Sequence, residues 1–142
     1  MEFDCGGWIN LLSHKVKKRL NATLSDLGIT AVQSHVLFYI VKHSQNGLVF
    51  QRDVEEAFEL SRSTATGILQ ILERNGLIQR DSVPYDARLK SLVLTEKAVQ
   101  MNAQVHACIQ ETEQAMTRDI SPGQLQLFKE IASKMSENLD IS

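Results

Sequence analysis

The sequence predicts a mainly α-helical domain that carries one small β-hairpin. Three observations lead there. Apolar residues recur at three- and four-residue spacing over six stretches, most of them opened by a serine or threonine. Two short apolar runs, Leu77 to Arg80 and Ser91 to Leu94, flank a turn-forming segment around Val83-Pro-Tyr-Asp86. Two prolines and seven glycines among 142 residues are too few for a loop-rich chain, and 43% hydrophobic residues is enough to fill a core.

Each element has a local reason. Trp8, Leu12, Val16, Leu20 and Leu24 repeat every four residues, with Leu27 near the end of the first helix. Gly28 then ends it, because glycine accepts left-handed backbone at little cost. Thr30-Ala-Val-Gln33 reads as a capping box that opens a second helix. Its apolar run from Val36 to Val41 would also suit a buried strand, and the capped start decides for helix. Gln45-Asn-Gly47 breaks the chain, and Gln51 to Phe58 forms a short helix with Val54, Ala57 and Phe58 on its apolar side. Ser61 caps a fourth helix that ends at Asn75-Gly76. After the hairpin, Thr95 caps a long helix with Ala98, Met101, Val105, Cys108, Thr112 and Ala115 on one side. Ser121-Pro-Gly-Gln124 is a second capping box, with proline at the tolerated first position. The last helix carries Leu125, Phe128, Ala132, Met135 and Leu139, a spacing suited to helix-on-helix packing.

Charge alone predicts no nucleic-acid partner. The net charge is −2 and the pI about 6.1. Between residues 50 and 90, Arg52, Arg62, Arg74, Arg80, Arg88 and Lys90 face a slightly larger number of acids. An electrostatic function must therefore depend on where the charges point. Glu55, Glu56 and Glu59 are expected to turn away from any phosphate. Cys5 and Cys108 form no CxxC pair, which fits a reducing compartment better than a disulfide framework. No charged start precedes a long apolar stretch, so a cytoplasmic protein without a membrane span is expected.

The fourth helix carries the chemistry. At about 100° per residue, Ala65, Ile68, Leu69 and Leu72 fall on one side. Ser63, Thr66, Gly67, Gln70 and Arg74 fall on the other, with Arg62 at the margin and no carboxylate until Glu73. Small hydroxyls, an amide and an arginine can bond phosphate oxygens and base edges. An ordinary solvated face would look the same, so the helix by itself does not decide. Its context does. A short helix, a tight turn and this polar-faced helix make a helix-turn-helix. A hairpin bearing Asp86, Arg88 and Lys90 follows, and a cationic hairpin beside a major-groove helix can reach the neighbouring minor groove. The expected fold is a winged helix-turn-helix.

Arg62-Ser-Thr-Ala-Thr66, Leu72-Glu-Arg-Asn-Gly-Leu-Ile78, Asp86-Ala-Arg88 and Leu94-Thr-Glu-Lys97 resemble the MarR (multiple antibiotic resistance regulator) family of winged-helix transcription regulators. Chain length and helix order are similar too. The resemblance implies a single domain over 1–142, with a winged core at about 30–97 and dimerisation helices at about 7–27 and 96–139. It implies a homodimeric, ligand-responsive repressor that binds a pseudo-palindromic double-stranded operator, with half-sites about 34 Å apart. Ser63, Thr64 and Thr66 would contact DNA from the helix and Arg88 from the wing, with Asp86 orienting Arg88; Arg62, Gln70, Arg74 and Lys90 complete the expected DNA-binding set. Three residues depart from the family pattern. Gly67 stands where relatives commonly carry a longer polar residue, Phe50 where a threonine often caps the third helix, and Asp86-Ala-Arg88 where many have two adjacent arginines. If Asp86 holds Arg88, Lys90 is left as the unengaged wing cation, and binding should be salt-sensitive.

Other residues carry two readings each. The resemblance implies a small aromatic or lipophilic effector near Trp8, Phe38, Tyr39 and Met101, and core packing accounts for the same residues. Cys5 is either a redox sensor of the family type or an inert surface thiol, while Cys108 reads as core. Lys15, Lys17, Lys18 and Arg19 read as a solvated helix face rather than a phosphate contact. His14, His35, His43 and His106 show no metal-ligand spacing, so neither metal nor cofactor is expected. No glycine-rich cofactor loop or catalytic constellation is readable, so an enzyme is not expected. The remaining alternative is a dimeric winged-helix interaction module with little DNA affinity.

Overall fold

The computed structural model describes residues 2–140. They form two compact units, one up to Ile109 and one from Gln110 onward. The first contains α1 (Cys5–Leu24), a 3-10 turn (Ser25–Leu27), α2 (Ala31–Ser44), α3 (Gln51–Phe58), α4 (Arg62–Arg74), β1 (Ile78–Val83) and β2 (Asp86–Leu94). The long helix α5 (Glu96–Met116) leads into the second unit, which contains α6 (Pro122–Leu139). This is the mainly helical winged helix-turn-helix that the sequence predicts.

The expected caps form. Thr30 Oγ1 accepts from Gln33 N, and Gln33 Oε1 accepts from Thr30 N. Ser121 and Gln124 repeat the exchange at α6. Thr95 Oγ1 accepts from Ala98 N at 3.2 Å. Gly28 (φ 71°) and Gly76 (φ 75°) hold the left-handed backbone that ends the helices before them.

The first unit closes around one core. Leu20 and Leu24 of α1, Val36, Leu37 and Ile40 of α2, Val54 of α3, and Leu69 and Leu72 of α4 meet Ile78 and Leu92 of the hairpin. Ala98 and Val105 of α5 complete it. Three stripes differ from expectation. On α1 the stripe is buried at Leu20 and Leu24 only; Trp8 is 50% exposed, and Ile9 and Leu12 beside it are also exposed. On α3, Ala57 is exposed, because an eight-residue helix turns only Val54 fully inward. On α6, Leu125, Ala132 and Met135 are half-buried, while Phe128 (61% exposed) joins Leu127 and Ile131 on an uncovered apolar face. Helical periodicity marks an apolar side without saying whether this chain or a second one covers it.

The hairpin is longer than its apolar runs. Antiparallel pairing continues outward through Asp81↔Ser91 and Ser82↔Lys90, past a bulge at Ser82/Val83, to Val83↔Asp86. On β1 the added Asp81 and Ser82 are polar and adjoin the turn, whereas Asp86-Ala-Arg-Leu-Lys90 on β2 does alternate and was hidden by the turn signal around Pro84. A third segment also joins. Leu92 N donates to Val49 O at 2.7 Å, and Phe50 bridges to Ser91, which ties the start of α3 to β2.

Candidate nucleic-acid interface

The α3–α4 unit is fixed by local hydrogen bonds. Phe50 has no polar side chain to cap α3, and the Asp53 carboxylate closes half the box by accepting from Phe50 N at 2.8 Å. Glu59 takes the left-handed conformation (φ 50°), and Leu60 N donates back to Glu55 O. The chain is thereby turned sharply into α4. There Ser61 Oγ accepts from Thr64 N and donates to Thr64 Oγ1 at 2.9 Å. Arg62, Ser63, Thr64, Gln70 and Arg74 are all exposed on α4, and Ala65, Leu69 and Leu72 are buried. The polar face derived from the sequence therefore points outward. Space around Gly67 is open, with no atom within 4 Å of an added Cβ. Gly67→Ala should then stabilise the DNA-free protein by about 0.5–1 kcal/mol through helix propensity alone, read as a higher unfolding temperature.

On the wing, Asp86 Oδ1 accepts from Arg88 N at 2.9 Å and lies 3.4 Å from Arg88 Nε. The Arg88 side chain is nonetheless 92% exposed. Lys90 Nζ donates to Ser82 Oγ at 2.6 Å, following the cross-strand register, so Lys90 is engaged rather than free. Its remaining ammonium protons can still reach an anion.

Between α4 and the wing lies an open groove of about 760 Å³. Arg52, Arg62, Arg80, Arg88 and Lys90 line it, together with Gln51, Thr66, Phe50, Tyr85 and Leu89. Among the described residues, Glu55 is the one carboxylate in that lining. The groove is thus strongly positive inside a chain of net charge −2. Glu55 corrects the expectation that the α3 acids all turn away. Of the sequence-derived set, Arg62, Thr66, Arg88 and Lys90 meet here, while Ser63, Thr64, Gln70 and Arg74 lie outside the lining. Arg52, Arg80, Gln51 and Tyr85 were missed as site residues. Strand alternation over residues 78–83 would have put Arg80 opposite Gln79, but only the added segment at residues 49–50 brings α3 beside the strand.

The four candidate effector residues have separate partners. Trp8 meets Phe3 edge-on at 5.4 Å, and Phe38 stacks on His106 at 5.8 Å. Tyr39 lies 4.1 Å from the His43 ring and edge-on to Phe58. Burial, and then the Asp53 and Glu56 carboxylates, raise the Tyr39 phenol above its ordinary 10.0. Met101 is half-buried in a small cleft with Leu27, Gly28, Asn75, Leu77 and Lys97. Cys5 is exposed at the start of α1, and Cys108 Sγ lies 3.6 Å from Thr23 O. No single helix among the described residues is long and apolar enough to cross a membrane.

Comparison with known proteins agrees with this geometry. Residues 27–89 match the model of the MarR family. The chain is similar to S. aureus MepR solved as a DNA complex, at 28% identity and a TM-score of 0.88, over 97% of this chain and 98% of that one. It is similar to S. aureus MepR in a DNA-binding conformation, at 27% identity and 0.85, over 97% and 100%. It is also similar to the transcription regulator MarR from Oenococcus oeni PSU-1, at 27% and 0.78, over 94% and 99%. The matched segment holds most of the winged core, and the chain is similar in fold to these MarR-family structures over nearly its whole length.

Proposed function

We propose that this chain is a sequence-specific, double-stranded DNA-binding transcription regulator that acts as a cytoplasmic homodimer. The observation that carries the reading is the cationic groove between an outward polar helix and an exposed wing arginine. Phosphate oxygens satisfy such a groove, and the exposed hydroxyls and amide of α4 suit base edges. The S. aureus MepR with which it shares its fold was solved with DNA bound. A titration of the duplex upstream of its own gene, followed by fluorescence anisotropy at several salt concentrations, tests the proposal. Tight, sequence-dependent binding at low salt is expected, and its absence defeats the reading.

Homodimerisation is supported by the uncovered apolar faces of α1 and α6, each considered in its own unit. Burying side chains such as Phe128 and Ile131 against a second copy stabilises by about 1.5–3 kcal/mol each. Phe128→Glu with Ile131→Glu should therefore shift the protein from dimer to monomer in light scattering. Operator affinity should fall with it, because one protomer presents one probe. We further propose release by a small aromatic or lipophilic effector, as the family resemblance implies. Such a ligand must bind the DNA-competent and released forms with different affinity. Calorimetry of small aromatic and lipophilic probes, with and without operator, tests that coupling.

A further inference from the structure

We infer that Gln51 is a positioning residue that locks the Thr66 hydroxyl as a hydrogen-bond donor toward DNA. The inference rests on the DNA-binding reading above. Gln51 Nε2 lies 2.9 Å from Thr66 Oγ1 and 3.4 Å from Arg62 O, and Gln51 Oε1 accepts from Arg80 Nη1 at 3.4 Å. The amide has one chemically consistent orientation. Arginine can only donate, so the carbonyl oxygen must face Arg80; the Arg62 carbonyl can only accept, so the NH₂ must face α4.

That orientation decides what Thr66 can do. Its oxygen already receives a proton from Gln51. A helical threonine commonly gives its own proton to the carbonyl four residues back. For Thr66 that carbonyl belongs to Arg62, and Gln51 approaches it instead. Among the described residues Thr66 donates to no protein acceptor, and it lines the cationic groove. Its proton is left for an acceptor on the duplex, either a phosphate oxygen or a base-edge oxygen or nitrogen. Gln51 is itself held by Arg80 on β1, which also lies 3.8 Å from Glu73. The bridge from Phe50 to Ser91 sets Gln51 beside the wing. Wing, α3 and α4 thus share one amide, and wing position and Thr66 orientation are coupled through it.

A pair of double-mutant cycles tests this with Gln51→Met and Thr66→Val, both uncharged replacements of similar size. In the DNA-bound cycle, measured by anisotropy on the upstream duplex and on a scrambled one, each single change should cost roughly tenfold per half-site. The double variant should cost no more than either single one. The slope of affinity against salt should stay unchanged, since no cation is lost. Thr66→Ser, which keeps the hydroxyl, should recover most of the affinity that Thr66→Val loses. A loss confined to the upstream duplex identifies a base acceptor, and an equal loss on both duplexes identifies a phosphate. Additive losses, or no loss with Thr66→Val, overturn the proposal. The second cycle, thermal unfolding of the DNA-free dimer, must show Gln51–Thr66 coupling whatever the DNA does, and independent effects there also overturn the lock. If the wild type fails to discriminate DNA while that coupling is present, the DNA-binding reading falls and the donor role falls with it, whereas the lock stands.

Discussion

Replacing Arg88 and Lys90 together by alanine should lower operator affinity by roughly 10²–10³-fold near physiological salt. The estimate comes from counterion release. Each phosphate contact adds about 0.9 to the slope of log affinity against log salt, which is roughly fivefold in affinity near 0.15 M. A dimer loses up to four such contacts, so the slope should fall by about two to four. The wing itself should survive. Asp86 Oδ1 also accepts from the Arg88 backbone N–H at 2.9 Å, a bond that alanine retains. The Asp86–Arg88 and Ser82–Lys90 side-chain contacts are exposed, and exposed charge contacts of this kind contribute little to stability. Unfolding temperature should therefore stay nearly constant while affinity and salt slope fall. An unchanged slope would remove the wing from the interface and favour a winged-helix module that binds something other than DNA.

Leu69→Ala should destabilise the protein by about 2–5 kcal/mol, whereas Gln70→Ala should change stability by less than about 0.5 kcal/mol. Leu69 is fully buried in the core, among residues of α1, α2, α3 and the hairpin, and alanine leaves a cavity there that close-packed neighbours fill only in part. Gln70 is the next residue of the same helix and is exposed. Thermal unfolding of the two variants reads the two faces of α4 directly. Equal effects would mean that the helix is rotated from the orientation described, and the outward polar face would be lost with it. Reduced DNA binding by Gln70→Ala at unchanged stability is the complementary result, because its amide is suited to adenine.

Sequence reading located α4 well because its two faces differ in chemistry at helical spacing, and because Ser61 and Gly76 mark its ends by backbone rules that act within a few residues. The hairpin was placed correctly but drawn short, since its tip pairs polar residues whose strand conformation is imposed by cross-strand hydrogen bonds. Phe50 looked like a missing cap, and the carboxylate three residues later supplies the bond from the other direction. Lys90 looked unengaged, and the register alone set it opposite Ser82. Trp8, Phe38, Tyr39 and Met101 were grouped as the lining of an effector cavity that the family resemblance implies, and each has its own neighbours in the structure.

Helix boundaries and the outward polar face were determined by the sequence itself, because caps, glycine turns and apolar periodicity act over one or two turns of chain. The gathering of Arg52, Arg62, Arg80, Arg88 and Lys90 around one groove, with Glu55 among them, was decided only by tertiary structure. Those residues span almost forty positions, and no local rule sets the distance between them. An isolated bridge at Phe50 and the Leu92–Val49 backbone hydrogen bond do so, by pairing with β2 and carrying α3 to the wing.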